Sequence, residues 1–331
     1  MPETRMQDSG ENRWPLTPAN FDNPSRRETI PKKDNLVSQI KNEIIDAFNR
    51  EGAGLDVDAR SRINEVKKKC IERFPDQIKE IELLFGIVDM ASNMDLIVET
   101  QGSSGQEARR QPGYRPDQQV LQQRKEAFEE LAEYNYMLTD TALRLSDNPE
   151  AISNFWKELE DLTKIIPGDE RINLNRLWSI KSGVLSQVAI FKGLEKQGLA
   201  PKLSVPKEDA FNSVDIWLDK QTALQIKTSR SINYPQIFNL DDLFSEQSVI
   251  GQGLEKQLRA IERSKAGIER LRKISRKNIN GYIVLLPTKE FDPTTGTPSE
   301  TLSMMLETFA PSLPQQPSQE DPAKQLVEKK K

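Results

Sequence analysis

The chain has 331 residues, one cysteine, no histidine and a formal net charge of −4, with 36% hydrophobic and 30% charged residues. The absence of histidine excludes Ser/His/Asp and Cys/His catalysis and His-ligated zinc, so an enzyme would depend on carboxylates, amides, lysine or a hard metal. No apolar run reaches the ~20 residues of a membrane-spanning helix, and the N-terminus lacks a signal-peptide pattern. We therefore expect a cytoplasmic protein.

The first half of the chain predicts helices and carries no ligand motif. Residues 1–34 mix Pro, Asn, Asp, Ser and charges without periodicity, which predicts disorder. Residues 35–168 predict a helical domain with a flexible connector near 100–117. Its acidic balance favours protein contact or self-association over contact with DNA. The predicted helices cover residues 36–48, 56–74, 76–98, 117–147 and 149–166.

Near residue 170 short apolar runs begin to alternate with helices. The order helix, two or three strands, helix, strand predicts an α/β or α+β domain over 169–290, with a small mixed sheet covered by helices. Residues 291–331 are proline-rich and predicted to be mostly disordered, with a helix only at about 299–309. Trp156 and Trp178 fall at helical positions and are predicted to be core. The elements predicted in this domain are a helix at 171–198, strands at 210–218 and 222–228, a helix at 251–277 and a strand at 282–286.

Polar residues on the two neighbouring strands predict a site. Strand side chains alternate between faces, so Gln225 and Lys227 share a face and Asp215 can lie opposite them. A carboxylate, an amide and backbone carbonyls suit Mg²⁺ or Mn²⁺, and a nearby ammonium can orient or activate a metal-bound water. The structural alternative is that Asp215 caps a turn, Gln225 makes a cross-strand hydrogen bond and Lys227 is solvated.

The segments VDIWL and ALQIKTS, the second long helix and the strand NGYIVLLP follow one another in an order that resembles the PD-(D/E)xK nuclease superfamily. The resemblance covers about residues 171–290 and implies a restriction-endonuclease-like core and a Mg²⁺-dependent deoxyribonuclease. It also implies that Asp215 is the metal-binding aspartate, that Gln225 replaces the acid of the third strand, and that Lys227 is the catalytic lysine.

Two glutamines depart from the family pattern. Gln187 stands where the family often carries a glutamate on its first helix, and Gln225 replaces the second acid, which should weaken metal affinity. Glu208 and Asp209 precede the strand of Asp215 and are candidate additional metal ligands, although both also suit a solvated loop. The alternative to a metal-dependent nuclease acting on DNA is therefore an inactive nuclease-fold protein that binds nucleic acid or protein.

Charge is divided unevenly along the chain. Residues 170–290 hold 20 Lys/Arg and 13 Asp/Glu, a balance of +7, and the remaining segments carry −11. On the second long helix, Lys and Arg residues recur about 140° around the helix from the apolar stripe. This face could follow a phosphate backbone, or it could be an ordinary solvated face with i,i+4 ion pairs. The predicted nucleic-acid-binding row consists of Lys256, Arg259, Arg263, Arg270, Lys273 and Lys277.

Overall fold

In the computed structural model the described residues are 42–43, 59–87, 118–165, 174–243 and 254–313. All of them fall within one compact unit. The disorder predicted for residues 1–34, the connector near 100–117 and the last part of the tail lie outside these ranges. Of the helix predicted from residue 36, only Asn42 and Glu43 are described, and both are helical.

Local chemistry sets the ends of several helices. The side chain of Asn148 accepts a hydrogen bond from the Ala151 amide at 3.1 Å, and Ser299 accepts one from the Leu302 amide at 3.0 Å, so both act as N-caps. Gly198 follows the long helix with φ 77°, a conformation that favours glycine. The helices of the described ranges are α1 Ala59–Arg73, α2 at 78–87, α3 Gln118–Leu145, α4 Pro149–Ile165, α5 Leu174–Lys196, α6 Pro206–Asn212, α7 Leu258–Ser275 and α8 Glu300–Phe309.

Five strands form one small mixed sheet in the order β1-β2-β3-β5-β4. The first three make an antiparallel meander, β3 and β5 run parallel, and β4 pairs antiparallel with the outer edge of β5. The predicted class, a mixed α/β chain with a small sheet, is therefore confirmed. The strands are β1 Lys202–Leu203, β2 Ile216–Trp217, β3 Thr222–Thr228, β4 Gln236–Asn239 and β5 Asn280–Leu286.

Helices pack on both faces of the sheet, which explains why β5 reads as a continuous apolar run. A side chain at Gly281 would run into Ile268 of α7, whereas the next residue, Tyr282, packs its ring on Phe309 of α8 at 5.2 Å between centroids. The helix α8 also contacts α5. The packed core thus extends beyond residue 290, where the sequence suggested a boundary, because α8 buries its apolar side on α5 and β5.

The longest helix, α3, packs directly against α5 and α6. The helical segment and the sheet-containing segment are therefore in contact, and side chains of α3 can reach the sheet's polar residues. The division into a helical domain up to residue 168 and a separate domain from residue 169 stays a prediction.

The strand predicted at 210–218 is wrong over most of its length. Residues up to Asn212 belong to α6, which begins at Pro206, carries Glu208 and Asp209 in its first turn and ends at Ser213 with φ 54°. Proline at the first position and acids in the first turn both favour a helix start. Only Ile216–Trp217 is strand, and the short strands β1 and β4 lack a pattern long enough to predict them.

The two tryptophans predicted to be core differ. Trp156 is 4% exposed and buried as expected, whereas Trp178 is 45% exposed, so that prediction is wrong. Both residues fall at helical spacing among apolar neighbours, and spacing does not reveal which face of a helix is covered. In the described part of the chain, no helix has both the length and the apolar character needed to cross a membrane.

Close packing of α6 on α7 depends on Gly267, because a Cβ there would lie 2.2 Å from the backbone oxygen of Asn212. We expect Gly267→Ala to lower the free energy of unfolding by about 1–3 kcal/mol, as overpacking does. Gly183→Ala on α5 is the matched control, because its Cβ would meet nothing within 4 Å. It should be neutral or stabilising by up to ~1 kcal/mol. Urea denaturation measures both, and equal stabilities for the two variants would contradict this packing.

Candidate functional site

The carboxylate of Asp215 lies at the centre of the predicted cluster. It accepts hydrogen bonds from Gln187 Nε2 at 3.0 Å, from Gln225 Nε2 at 2.5 Å and from the Ile226 amide at 2.6 Å. Asp215 is 6% exposed and Gln225 2% exposed. The structure thus brings Asp215, Gln225 and Gln187 together, but in a buried position and not on an open edge.

A second carboxyl group, that of Asp209, is hydrogen-bonded to Asp215. Burial, followed by the negative charge of Asp215, raises the pKa of Asp209 to about 8. Burial also raises the pKa of Asp215, against the opposing effects of the Lys227 charge and of the Ile226 and Gln225 donors. Because Asp215 already accepts three N–H donors that stabilise its charged form, we infer that Asp209 carries the proton of the pair.

The orientation of Gln187 is fixed from the far side by α3. Thr139 Oγ1 donates to Gln187 Oε1 at 2.9 Å, so the amide nitrogen of Gln187 faces Asp215. Asn135, one turn earlier on α3, lines the same small cavity as Asp209 and lowers the pKa of that carboxyl. Helix α3 therefore holds both ends of the chain of contacts that runs from Thr139 through Gln187, Asp215 and Asp209.

A cavity of about 10 Å³ lies inside this ring, lined by Asn135, Thr139, Gln187, Asp209 and Asp215 among others. That volume is close to the minimum of roughly 10–15 Å³ that one water needs. Among the described residues, the buried oxygen Oε1 of Gln225 has no hydrogen-bond partner. Because Gln225 Nε2 donates to Asp215, this oxygen faces away from Asp215. Only with the amide turned over would it lie beside the two carboxyls, where a hard cation, which prefers oxygen ligands, could replace the proton.

The donor set for such a cation is poor in charge. Within the described ranges, no three Cys, Asp or Glu side chains gather as a metal-binding group. Asp209 and Asp215 would supply two carboxylates, and Gln225 and water would supply neutral oxygens. This set suits Mg²⁺ or Mn²⁺ bound weakly.

Lys227 lies two residues beyond Gln225 on β3 and is partly buried. Its charge acts on both carboxyls and opposes the effect of burial on the pKa of each. Among the residues that the structure describes, it forms no direct ion pair with either one. Its ammonium group is therefore near the pair and available to a water or an anionic substrate.

Glu208, predicted as a further ligand, is placed elsewhere. Its Oε2 accepts a hydrogen bond from Trp217 Nε1 at 2.8 Å. Neighbouring residues of a helix point about 100° apart, so α6 can direct only one of Glu208 and Asp209 towards Asp215. The prediction of both residues as ligands assumed that this segment is a strand. Because it is a helix, Asp209 faces Asp215 and Glu208 does not.

The basic row is exposed on α7 at Arg259, Arg263, Arg270 and Lys273. Arg270 also donates to the Phe211 carbonyl at 2.6 Å and so ties α7 to the end of α6. Lys277 is exposed but lies past the helix, which ends at Ser275. The side chain of Lys256 lies outside the described residues.

Sequence reasoning missed the contribution of α3. Asn135 and Thr139 are polar residues four positions apart, one turn of helix, and Thr139 is fully buried. Two polar groups among the apolar residues of one helix face are a signal of buried hydrogen bonding. Nothing in the sequence indicates that their partners lie on α5 and α6.

The raised pKa of Asp209 predicts a loss of stability with increasing pH. Its value in the unfolded chain is near 3.8, so between about pH 4 and 8 the folded state binds one more proton than the unfolded state. The free energy of unfolding should fall through this window by up to about 1.4 kcal/mol per pH unit. With no histidine in the chain, few other side chains titrate there.

Asp209→Asn is the matched variant, because its amide mimics the protonated acid and can donate to Asp215. We expect its free energy of unfolding to vary less between pH 5 and 8 than that of the wild type. Urea denaturation at several pH values measures the difference. Parallel pH profiles would contradict a shared proton on Asp209.

Comparison of this chain with models of protein families, with curated proteins and with solved structures found no match. The fold and the site are therefore described from the chain's own residues. A mixed α/β sheet that brings the buried carboxyl of Asp215 and the partly buried carboxyl of Asp209 beside two amides and a lysine is the structural basis for a functional assignment.

Proposed function

We propose that the chain is a metal-dependent nuclease with a restriction-endonuclease-like core, and that it hydrolyses phosphodiester bonds in DNA. The observation that carries this proposal is the meeting of Asp209, Asp215 and Gln225 beside Lys227, with a buried amide oxygen left without a partner. Catalysis of phosphodiester hydrolysis needs negative oxygen ligands for a cation and a positive group near the attacked phosphate.

The order of elements supports the proposed core. Helix α5 precedes the antiparallel meander β1-β2-β3, helix α7 crosses to β5, and β5 runs parallel to β3. Apart from α6, which lies between β1 and β2, this order agrees with the helix, three-stranded meander, helix, strand order that the resemblance to the PD-(D/E)xK superfamily implies. The strand β4 is an addition at the outer edge of β5 and leaves that order intact.

The roles of the residues follow from their positions. Asp215 and Asp209 would hold Mg²⁺ or Mn²⁺ with Gln225 Oε1, and the cation supplies polarisation of the phosphate and a more acidic water. Lys227 would orient the attacking water or stabilise negative charge that develops on the phosphate. Gln187 would act as a positioning residue, since it donates to Asp215 and is itself held by Thr139.

Cleavage of plasmid DNA with Mg²⁺ tests this assignment. We expect Lys227→Ala to lower the rate by on the order of 10²–10³-fold, as loss of a transition-state charge does. Lys220→Ala is the matched control, because Lys220 is an exposed lysine on the turn before β3. Undiminished cleavage by folded Lys227→Ala protein would eliminate the assigned role.

The alternative function, an inactive nuclease-fold protein that binds nucleic acid or protein, is favoured by one observation. Both glutamines direct N–H groups at Asp215, where the resemblance leads one to expect acids. Amides that donate to the carboxylate satisfy it without a cation. Such a protein would bind DNA but would show no saturable binding of Mg²⁺ or Mn²⁺.

Calorimetric titration with Mg²⁺ and Mn²⁺ separates the two functions through the variant Gln225→Glu. A third carboxylate beside Asp209 and Asp215 should raise Mg²⁺ affinity about tenfold over the wild type, because ligand charge dominates hard-cation binding. The same variant should be less stable without metal, because three acids then repel one another. Absence of saturable binding in both proteins would support the non-catalytic function.

A further inference from the structure

A second pocket lies next to the site, formed by α5 and the segments that follow β3 and β5. Its volume is about 250 Å³, well above the roughly 10–15 Å³ needed for one water. We name it the Trp178 pocket; it is lined by Trp178, Ser182, Thr228, Ser229, Arg230 and Thr288, among others.

An aromatic ring and a cation meet at its rim. Trp178 is 45% exposed although it lies on a helix that otherwise supplies core residues. The guanidinium of Arg230 lies over the Trp178 ring, 5.4 Å from its centroid, and Arg230 is itself exposed. A flat indole with a neighbouring cation is suited to a planar ligand that carries a negative charge.

A buried hydroxyl in this pocket has no partner. Ser182 is 7% exposed, and within the described part of the chain its Oγ has no hydrogen-bond partner. A buried polar atom without a partner destabilises the fold. Because Ser182 lines the pocket, a bound ligand with hydrogen-bonding edges could satisfy this group.

The position of the pocket relates it to the carboxyl cluster. Thr228 and Leu286 end the parallel strands β3 and β5 in register, and Ser229 and Thr288 follow them. Open α/β sheets commonly bind ligands outside the carboxyl ends of such strands. Ser182 lies five residues before Gln187 on α5, about 7.5 Å along the helix axis. Thr228 lies three residues after Gln225 on β3, about 10 Å.

We propose that the Trp178 pocket binds an unpaired nucleobase of single-stranded DNA, stacked on Trp178, with Arg230 on the adjoining phosphate and Ser182 hydrogen-bonded to the base edge. That the bound strand is also the one that is cut rests on the proposed nuclease function, but base binding itself does not.

The lining chemistry favours a nucleotide over other planar anions. Within the described residues that line it, the pocket offers hydroxyls, one aromatic ring and one cation, and no acidic side chain. Hydroxyls both donate and accept, as the varied edges of the bases require. In a duplex the faces of the bases are covered by their neighbours, so stacking on Trp178 requires an unpaired or flipped base.

Fluorescence anisotropy with a labelled oligonucleotide tests the proposal in EDTA, where no metal-dependent cleavage takes place. The two probes are a single-stranded 12-mer and a hairpin duplex that contains the same sequence. We expect the wild-type protein to bind the single strand more tightly. Trp178→Ala should weaken that binding by about 5- to 100-fold, the range of base–aromatic stacking.

Three further variants make the result specific. Trp178→Phe keeps an aromatic face and should lose less affinity than Trp178→Ala. Arg230→Ala should weaken binding. It should also reduce the slope of log affinity against log salt concentration by the contribution of one phosphate contact. Met304→Ala removes another exposed apolar side chain, on α8, and should leave binding unchanged.

The outcomes separate this inference from the proposed function. The proposal that this pocket binds a base would be wrong if the wild type and Trp178→Ala bound the single strand equally well. It would also be wrong if the wild type showed no preference for the single strand over the duplex, whether or not DNA is cleaved with Mg²⁺. A preference for the single strand that is lost in Trp178→Ala supports base binding in the pocket, even if no cleavage is seen with Mg²⁺. In that case only the nuclease assignment fails.

Discussion

The buried charge of Asp215 is the constraint on which the site depends. Removing a carboxylate from water costs several kcal/mol, and this cost is offset only when the protein supplies hydrogen bonds and opposite charge. Here the compensation comes from three elements: Gln187 of α5, the acid of Asp209 on α6, and on β3 the Gln225 amide, the Ile226 amide and the nearby charge of Lys227. The helices α3, α5 and α6 must therefore meet at this point of the sheet.

Glutamine in place of glutamate changes what this cluster can do without a cation. An amide can present either N–H groups or an oxygen, whereas a carboxylate at neutral pH can only accept. Gln187 and Gln225 donate to Asp215 in the structure, and so they stabilise the charge that acidic residues would repel. The orphaned Oε1 of Gln225 keeps an oxygen available on the same side chain. The chain can thus stabilise the charge of its aspartate without a metal ion.

The carboxyl cluster and the Trp178 pocket are built on the same two elements. Helix α5 supplies Gln187 to the first and Trp178 and Ser182 to the second, and β3 supplies Gln225 to the first and leads into Thr228 and Arg230 at the second. Both elements are anchored by core side chains: Val184, Leu185 and Val188 on α5 are almost fully buried. The spacing between the two places is therefore fixed by rigid secondary structure.

The sequence by itself was enough to predict α5, β3, α7 and β5. The spacing of apolar residues is a local property, and it differs between a helix and a strand because of their backbone geometry. It also paired Asp215 with Gln225, since alternation along neighbouring strands leaves few choices. Three features were decided only by tertiary structure. First, Asp209 and not Glu208 faces Asp215, because α6 is a helix. Second, α3 contributes Thr139 and Asn135, which are far from the other site residues in sequence. Third, Trp178 is exposed although its spacing predicted burial. The reason is the same in each case: periodicity defines which residues share a face, but only the packing of distant elements defines what that face meets.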